Sequence, residues 1–362
     1  MIKQFQKKIL SMKSKNLSEK ILRSVKSKGF KYIELPSVIE ANHIVQRSGE
    51  NFRKFMFSFT DINGRELCLR PDLTIASCLR YLEENLKGKE KIFYYGQAYR
   101  KVESKKDKII RNQIGFEILG SKNEKKDDNE IIAASLKILQ DFKFSSGTLT
   151  IGNIEIFNLL ISKLDIPKRW KLRLSRHFWR EEYFKDLLKR LETNSDIDPT
   201  IVEVDKKRYL NLLKENPETM IAGRSVGEIL KRFNAKIKDP RQSNRGKKVS
   251  KIINSFLKIK CPINKAAEVL NNFFKTNRIN LAVDQKYFPI SHNKISKLNV
   301  VFDSSFGRQQ EYYTGLVFKI DIKSKSKNIS IISGGRYDKL ISDLGSKNQV
   351  AAVGAALNLN FQ

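Results

Sequence analysis

Three stretches of this sequence combine residue types that hold small polar ligands. In Gln113-Ile114-Gly115-Phe116-Glu117, strand alternation sends Gln113, Gly115 and Glu117 to one face and Ile114 and Phe116 to the other. Gln113 and Glu117 would then lie about 13 Å apart, and the glycine between them leaves room for a ligand side chain against the backbone. An edge strand with one solvated face has the same pattern. Further on, Arg308 precedes Tyr312 and Tyr313 at the entrance to another strand, where adjacent tyrosines should point to opposite faces, one to a pocket and one to the packing. Arginine is a planar donor that can grip a carboxylate at two points, although taken alone it is commonly a surface residue. Gly334-Gly335 permits either a close backbone approach or a simple turn; no Gly-Lys-Ser/Thr follows, so it is not a phosphate loop.

The elements that must position these residues are early and late strands around a helical middle. Leu17, Ile21, Leu22 and Val25 recur at helical spacing, and Gly29 is a natural C-terminal cap, so a first helix should end near Lys28. Residues 55–59 and 66–69 read as strands around Asp61-Ile62-Asn63-Gly64, a hairpin signal because Asn-Gly tolerates positive φ. Pro71 suits the first turn of a helix that carries Ile75, Leu79, Leu82 and Leu86 and stops at Gly88. Strand-like runs at 92–99 and 114–119 flank the charged run 101–108, and Asp127 followed by Glu130 resembles a capping box for the next helix. From Asn153 to about Ile279 the pattern is helical and polar, without strand alternation; strands resume at 298–302, 313–320 and 329–332. The expected architecture is α+β, a mostly antiparallel sheet flanked by helices. Its two parts fall at 1–150 and 286–362, separated by a mainly helical insertion at 151–285.

A chain of 362 residues with 40% hydrophobic content can bury a large core plus a satellite domain. No apolar run reaches the roughly 18–20 residues of a membrane span, and Met1 to Lys15 lacks the apolar segment of a secretory signal. A cytoplasmic location is therefore expected, with no membrane partner. Cys68, Cys78 and Cys261 are odd in number and far apart, which indicates neither a zinc knuckle nor a disulfide framework, and neither metal nor cofactor is expected. The net charge of +31 would ordinarily point to nucleic acid. However, lysine greatly outnumbers arginine, and abundant Asn and Ile resemble the codon drift of an AT-rich genome. The densest basic stretch, Lys236 to Lys260, holds a single aromatic, Phe256, too few for a stacking platform. It reads as a solvated face or linker, with a phosphate-contacting patch as the alternative.

Taken together and in order, Glu34 to Pro36, Leu69 to Thr74, Tyr95-Gly96-Gln97-Ala98-Tyr99-Arg100, Gln113 to Gly120, Arg308 to Phe318 and Gly334 to Leu340 resemble the class II histidyl-tRNA synthetase catalytic core. These motifs cover most of the chain outside the helical middle. The resemblance implies a class II synthetase-like sheet, a homodimer built through the Pro36 region and a pocket for L-histidine. It implies that Asp72, where synthetases more often have Glu, and Thr74 hold the ligand's amino group. Arg100 matches the arginine of the second class II motif, and Gln113 and Glu117 match strand residues that line the substrate site. Arg308 matches the arginine particular to histidine activation, and Tyr312 and Tyr313 match the pair that encloses the imidazole.

The departures from that pattern point to a subfamily. Ile109-Ile110-Arg111-Asn112 replaces the usual charged approach to Gln113. Ala351 to Ala356 resembles the start of the third class II motif, but Phe361 stands where the motif has its ATP-stacking arginine, and no sequence remains for an anticodon-binding domain. Arg70-Pro71-Asp72-Leu73-Thr74-Ile75 is similar to the regulatory subunits of ATP phosphoribosyltransferase, synthetase paralogues that join a short catalytic subunit at the first step of histidine biosynthesis. The resemblance thus implies a non-catalytic chain that forms a hetero-oligomer with that subunit and takes part in feedback control by histidine. The alternatives are a minimal synthetase-like enzyme that forms histidyl-adenylate, and a nucleic-acid-binding pseudo-synthetase that uses its basic surface.

Overall fold

A computed structural model describes residues 23, 25–26, 28–48, 50–102, 108–141, 146–193, 199–221, 223–238, 243–288, 298–307, 312–323 and 328–359. The chain divides into two compact units, one made from 1–155, 260–267 and 283–362, the other from 156–259 and 268–282.

The first unit begins with β1 (Lys31–Tyr32), β2 (Val38–Glu40), helix α1 (Ala41–Ser48) and a 3-10 turn at Glu50–Phe55. Val25 is buried and Gly29 has a φ of 80°, as a helix-ending glycine should; Leu17, Ile21 and Leu22 lie outside the described residues. The hairpin forms between β3 (Ser58–Thr60) and β4 (Glu66–Leu69), with Thr60 opposite Glu66. Asp61 locks its turn by accepting from the backbone N–H groups of Asn63 and Arg65, at 2.9 and 2.8 Å, and Gly64 takes a φ of 78°. The first hairpin strand starts later than the sequence pattern predicts because residues 50–55 coil into the 3-10 turn.

Helix α2 (Leu73–Glu83) is capped by Asp72, whose Oδ1 accepts from the Ile75 N–H at 3.1 Å. Pro71 therefore precedes the cap instead of occupying the first turn, and the helix stops at Glu83, short of Gly88. Strands β5 (Glu90–Tyr99) and β6 (Ile110–Leu119) pair antiparallel over their full length. Helix α3 (Glu124–Asp141) starts earlier than Asp127 because Asn123 supplies the cap, accepting from the Lys126 N–H at 3.1 Å. Asp127 and Glu130 do different work: Asp127 binds Lys89 at 2.7 Å and Glu130 binds Lys91, fastening α3 to the start of β5. Strand β7 (Gly147–Asn153) follows.

Helix α4 (Ile154–Lys163) leads into the second unit, which contains α5 (Lys168–Arg176), α6 (Glu181–Glu192), α7 (Pro199–Leu212), the small hairpin β8 (Met220–Ile221) and β9 (Arg224–Ser225), α8 (Val226–Lys238) and α9 (Ser243–Phe256). An aromatic core holds it: Phe157 stacks on Phe178 with centroids 3.8 Å apart, and Phe184 and Phe256 pack on the same ring. In α9, Val249, Ile252, Ile253 and Phe256 are buried while Lys247, Lys248 and Lys251 are exposed, so this part of the basic stretch is the solvated face of an amphipathic helix. The helical run is interrupted where the sequence pattern shows no alternation: β10 (Lys260–Pro262) joins the sheet of the first unit, followed by α10 (Ala266–Thr276).

The late strands β11 (Leu298–Asp303), β12 (Leu316–Lys323), β13 (Asn328–Arg336) and β14 (Ala352–Asn358), with the short helix α11 (Leu340–Asp343), complete the first unit. Among the described residues the sheet has nine strands in the order β1-β5-β6-β14-β13-β12-β7-β11-β10. Only β1 with β5 and β7 with β11 are parallel, so the α+β, mostly antiparallel architecture is what forms. Gly334 and Gly335 lie inside β13 and form no turn; a Cβ on Gly334 would come within 2.2 Å of the Gly354 carbonyl oxygen, so glycine permits the close β13–β14 approach. No helix among the described residues is long and apolar enough to cross a membrane, and no group of three or more metal-ligating side chains occurs among them.

Candidate functional site

A cavity of about 250 Å³ opens in the first unit. Asp72 and Thr74 at the start of α2, Tyr94 on β5, Arg100 just beyond it, and Arg111 and Gln113 on β6 line one side. Tyr312, Tyr313 and Tyr337 close the other, and residues 330–334 of β13 and 354–356 of β14 form the floor.

The start of α2 is held in place by Arg70, which is buried and donates to the Gln97 carbonyl at 2.9 Å and to the Pro36 carbonyl at 2.8 Å. A Cβ on Gly96 would fall 2.5 Å from this guanidinium, so the glycine in Tyr95-Gly96-Gln97 makes room for the clamp. Arg70 is thus structural, and the ligand-facing groups are the residues that follow it. Asp72 uses one carboxylate oxygen for the helix cap and turns the other toward Arg100, 3.6 Å away. Arg100 is itself anchored by donating its Nε to the Pro71 carbonyl at 2.8 Å, with its guanidinium 5.6 Å from the Phe52 ring centre.

Glu117 lies beneath this cavity. Only 1% exposed, it accepts from the Tyr94 hydroxyl at 2.6 Å, the Thr74 hydroxyl at 3.1 Å and, on its other oxygen, the Tyr337 hydroxyl at 2.5 Å. Burial pushes its pKa up to about 7, against the pull of the hydrogen bonds from Tyr337, Tyr94 and Thr74. Gly354 faces it across the β6–β14 ladder, and a Cβ there would sit 1.3 Å from its carboxylate oxygen.

Two sequence expectations need correction. The gap at Gly115 is filled by the protein itself: Tyr94 is its cross-strand partner, and a Cβ on Gly115 would lie 2.3 Å from the Tyr94 ring. Glycine there makes space for a tyrosine that hydrogen-bonds Glu117, with no space left for a ligand side chain. Tyr312 and Tyr313 do not diverge to opposite faces, because they precede β12 and are not in extended pairing; both line the cavity, with ring centres 4.9 Å apart in a T-shaped contact. Burial raises both phenols, so they present neutral rings.

Asp72, Thr74, Arg100, Gln113, Tyr312 and Tyr313 are therefore brought to one cavity, with Glu117 beneath it; Arg308 and Phe361 lie outside the described residues. Sequence reasoning missed Tyr94, Arg111 and Tyr337. Tyr94 stands opposite Gly115, so pairing a large residue with a small one across two strands could have found it, and Tyr337 follows the Gly334-Gly335 pair that opens the floor. Carboxylates, guanidinium groups and a wall of neutral aromatic rings in so small a volume suit a zwitterion that carries a ring.

The family model for histidyl-tRNA synthetase matches residues 10–361. The chain belongs to the histidyl-tRNA synthetase family. Among curated proteins, it is 27% identical over 345 residues to the ATP phosphoribosyltransferase regulatory subunit of Brucella anthropi and 26% identical over 350 residues to that of Agrobacterium fabrum, in each case covering 91% of both chains. Among solved structures, an ATP phosphoribosyltransferase regulatory subunit/histidyl-tRNA synthetase from Bacillus halodurans superposes with a TM-score of 0.54 at 21% identity, covering 95% of this chain and 76% of that one. The histidyl-tRNA synthetase of a Nostoc species gives 0.57 at 16% identity, covering 99% and 70%. These likenesses establish the family's fold for this chain.

Proposed function

We propose that this chain is a non-catalytic regulatory subunit of ATP phosphoribosyltransferase, which assembles with a short catalytic subunit for the first step of histidine biosynthesis. The observation that carries this reading is the end-to-end match, 91% of both chains, to curated relatives that bear the regulatory-subunit name. L-histidine is the ligand proposed for the tyrosine-walled cavity: its amino group faces Asp72 and Thr74, its carboxylate Arg100 and Arg308, and its imidazole Tyr312 and Tyr313, with Gln113 and Glu117 supporting from β6. The buried Glu117 and its ring of hydroxyls support a site that receives a cation, since a positive ligand stabilises the ionised carboxylate. Exposed Tyr32 and Val38, which flank Pro36 in sequence, support a homodimer through that face, and the cytoplasm is the location proposed for it.

The decisive experiment mixes the chain with a short-form catalytic subunit and follows condensation of ATP with phosphoribosyl pyrophosphate. Activity should appear only in the mixture and fall as histidine is added. A catalytic subunit equally active alone would defeat the reading. The alternative reading is adenylation of histidine by the chain itself, in keeping with its synthetase-like fold. It predicts histidine-dependent exchange of pyrophosphate into ATP by the chain alone, and the regulatory reading predicts none.

A further inference from the structure

The second unit contains a larger cavity, of about 890 Å³, with a different character. Arg169, Arg173 and Arg176 of α5 stand at helical spacings of four and three, which puts them on one face. Arg224 of β9 and Lys231 and Arg232 of α8 line the same cavity, and Glu228 is the one carboxylate in the lining among the described residues. Arg176, Arg224, Lys231 and Arg232 make no ion pair with any described residue.

Compositional drift does not explain this cluster. Lysine outnumbers arginine more than two to one in the whole chain, yet five of the six cations here are arginine, the side chain whose planar fork matches phosphate oxygens. Like charges three and four residues apart weaken a helix, so α5 carries a repulsion that a bound anion would relieve. The local field is also visible on its neighbours. Burial and the positive charges of Arg180, Arg176 and Arg173 hold the His177 imidazole below its usual range, and the hydrogen bond from Arg173, 3.0 Å from the Tyr183 hydroxyl, pulls that phenol down.

We propose that this cavity is a binding site for a small soluble compound bearing two or more phosphate groups, held by Arg169, Arg173, Arg176, Arg224, Lys231 and Arg232. Its size falls within the range of small-molecule sites and is several times what one inorganic phosphate fills. Its aromatic groups are not arranged for stacking nucleic-acid bases: Trp170 is buried, and the Tyr183 ring is packed edge-on against His177 at 4.9 Å. The proposal is independent of the histidine cavity, since every residue it uses belongs to the second unit.

Titration calorimetry of the full chain with inorganic tripolyphosphate and with ATP tests the site. The double variant Arg176→Glu/Arg232→Glu should weaken tripolyphosphate by about tenfold or more, the loss expected for removing charge-assisted contacts. The charge-matched control Lys247→Glu/Lys251→Glu, on the exposed face of α9, should change it by less than about twofold. Unchanged unfolding midpoints certify that both variants fold, and Arg224→Gln, which should weaken binding by a smaller factor, serves if the double variant does not. Absence of tripolyphosphate binding to the wild type, or equal weakening by cavity and control variants, would overturn the proposal. So would a single-stranded RNA oligonucleotide that binds far more tightly than tripolyphosphate and is lost in the same cavity variant, because the ligand class would then be a different one.

Discussion

The two cavities handle charge in opposite ways. In the first unit the charges at and around the cavity floor have internal partners: Asp72 faces Arg100, Glu117 accepts three hydroxyls, and Arg336, buried at the end of β13, is held between Asp128 and Asp338 at 2.7 and 2.8 Å. In the second unit arginines line an open cavity with a single carboxylate among them. The first arrangement is preorganised and sets the shape of what can enter. The second is an unbalanced field that selects by charge. Removing a cation should therefore be harmful in one unit and nearly free in the other.

The largest effect should come from Arg336→Met. It leaves Asp128 and Asp338 buried without their counter-charge, a loss of about 3–5 kcal/mol measurable by denaturant unfolding. Asp338 also accepts from the Ala352 N–H at 2.8 Å, so the damage reaches β14. Gly354→Ala comes next: its Cβ would coincide with the Glu117 carboxylate, and a destabilisation of about 3 kcal/mol with loss of any histidine-induced thermal shift is expected. A Gly354→Ala protein of wild-type stability would disprove the packing described for the floor.

Glu117→Gln separates charge from shape. The carboxyl of Glu117 is raised from 4.5 to about 7 in the folded protein, so the folded state holds its proton more tightly than the unfolded one. Its contribution to stability is complete below about 4.5 and is lost as pH rises through about 7, a difference on the order of 3 kcal/mol. The variant should flatten the stability profile across that window, leaving the smaller contribution of Asp128, which burial raises from 3.8 to about 6. An unchanged profile would mean that Glu117 is not the titrating group. The smallest effect belongs to the second unit, where Arg176→Gln should leave stability within about 0.5 kcal/mol of wild type or slightly above it.

The sequence revealed what local chemistry determines. The Asp61–Gly64 hairpin, the strands flanking 101–108 and the helix that carries Ile75, Leu79 and Leu82 are each encoded within a dozen or so residues by turn formers, alternation and helical spacing, whereas the Asp72 cap reads in the sequence as part of a first turn at Pro71. The site residues were legible through several motifs in order, and Asp72, Thr74, Gln113 and the two tyrosines meet in one cavity. What could not be read was register. That Tyr94 fills the space over Gly115 depends on which residue of β5 lies opposite it, and that Tyr312 and Tyr313 face the same way depends on β12 starting at Leu316. Asp127 looked like a cap because its partner, Lys89, is distant in sequence. The arginine cavity is not legible in the sequence because its two basic helix faces are separated by more than forty residues and come together only in the folded unit.

Strand β14 sits between β6 and β13, near the middle of the nine-stranded sheet, although it is the last of them to be synthesised. While translation is under way, β6 has an open edge and Glu117 has no Gly354 above it, so the nascent chain carries an unsealed hydrophobic seam until residue 358 leaves the ribosome. Closure of the sheet and creation of the ligand floor are then one event, and a premature stop a few codons upstream should give an aggregating polypeptide and no partly active one.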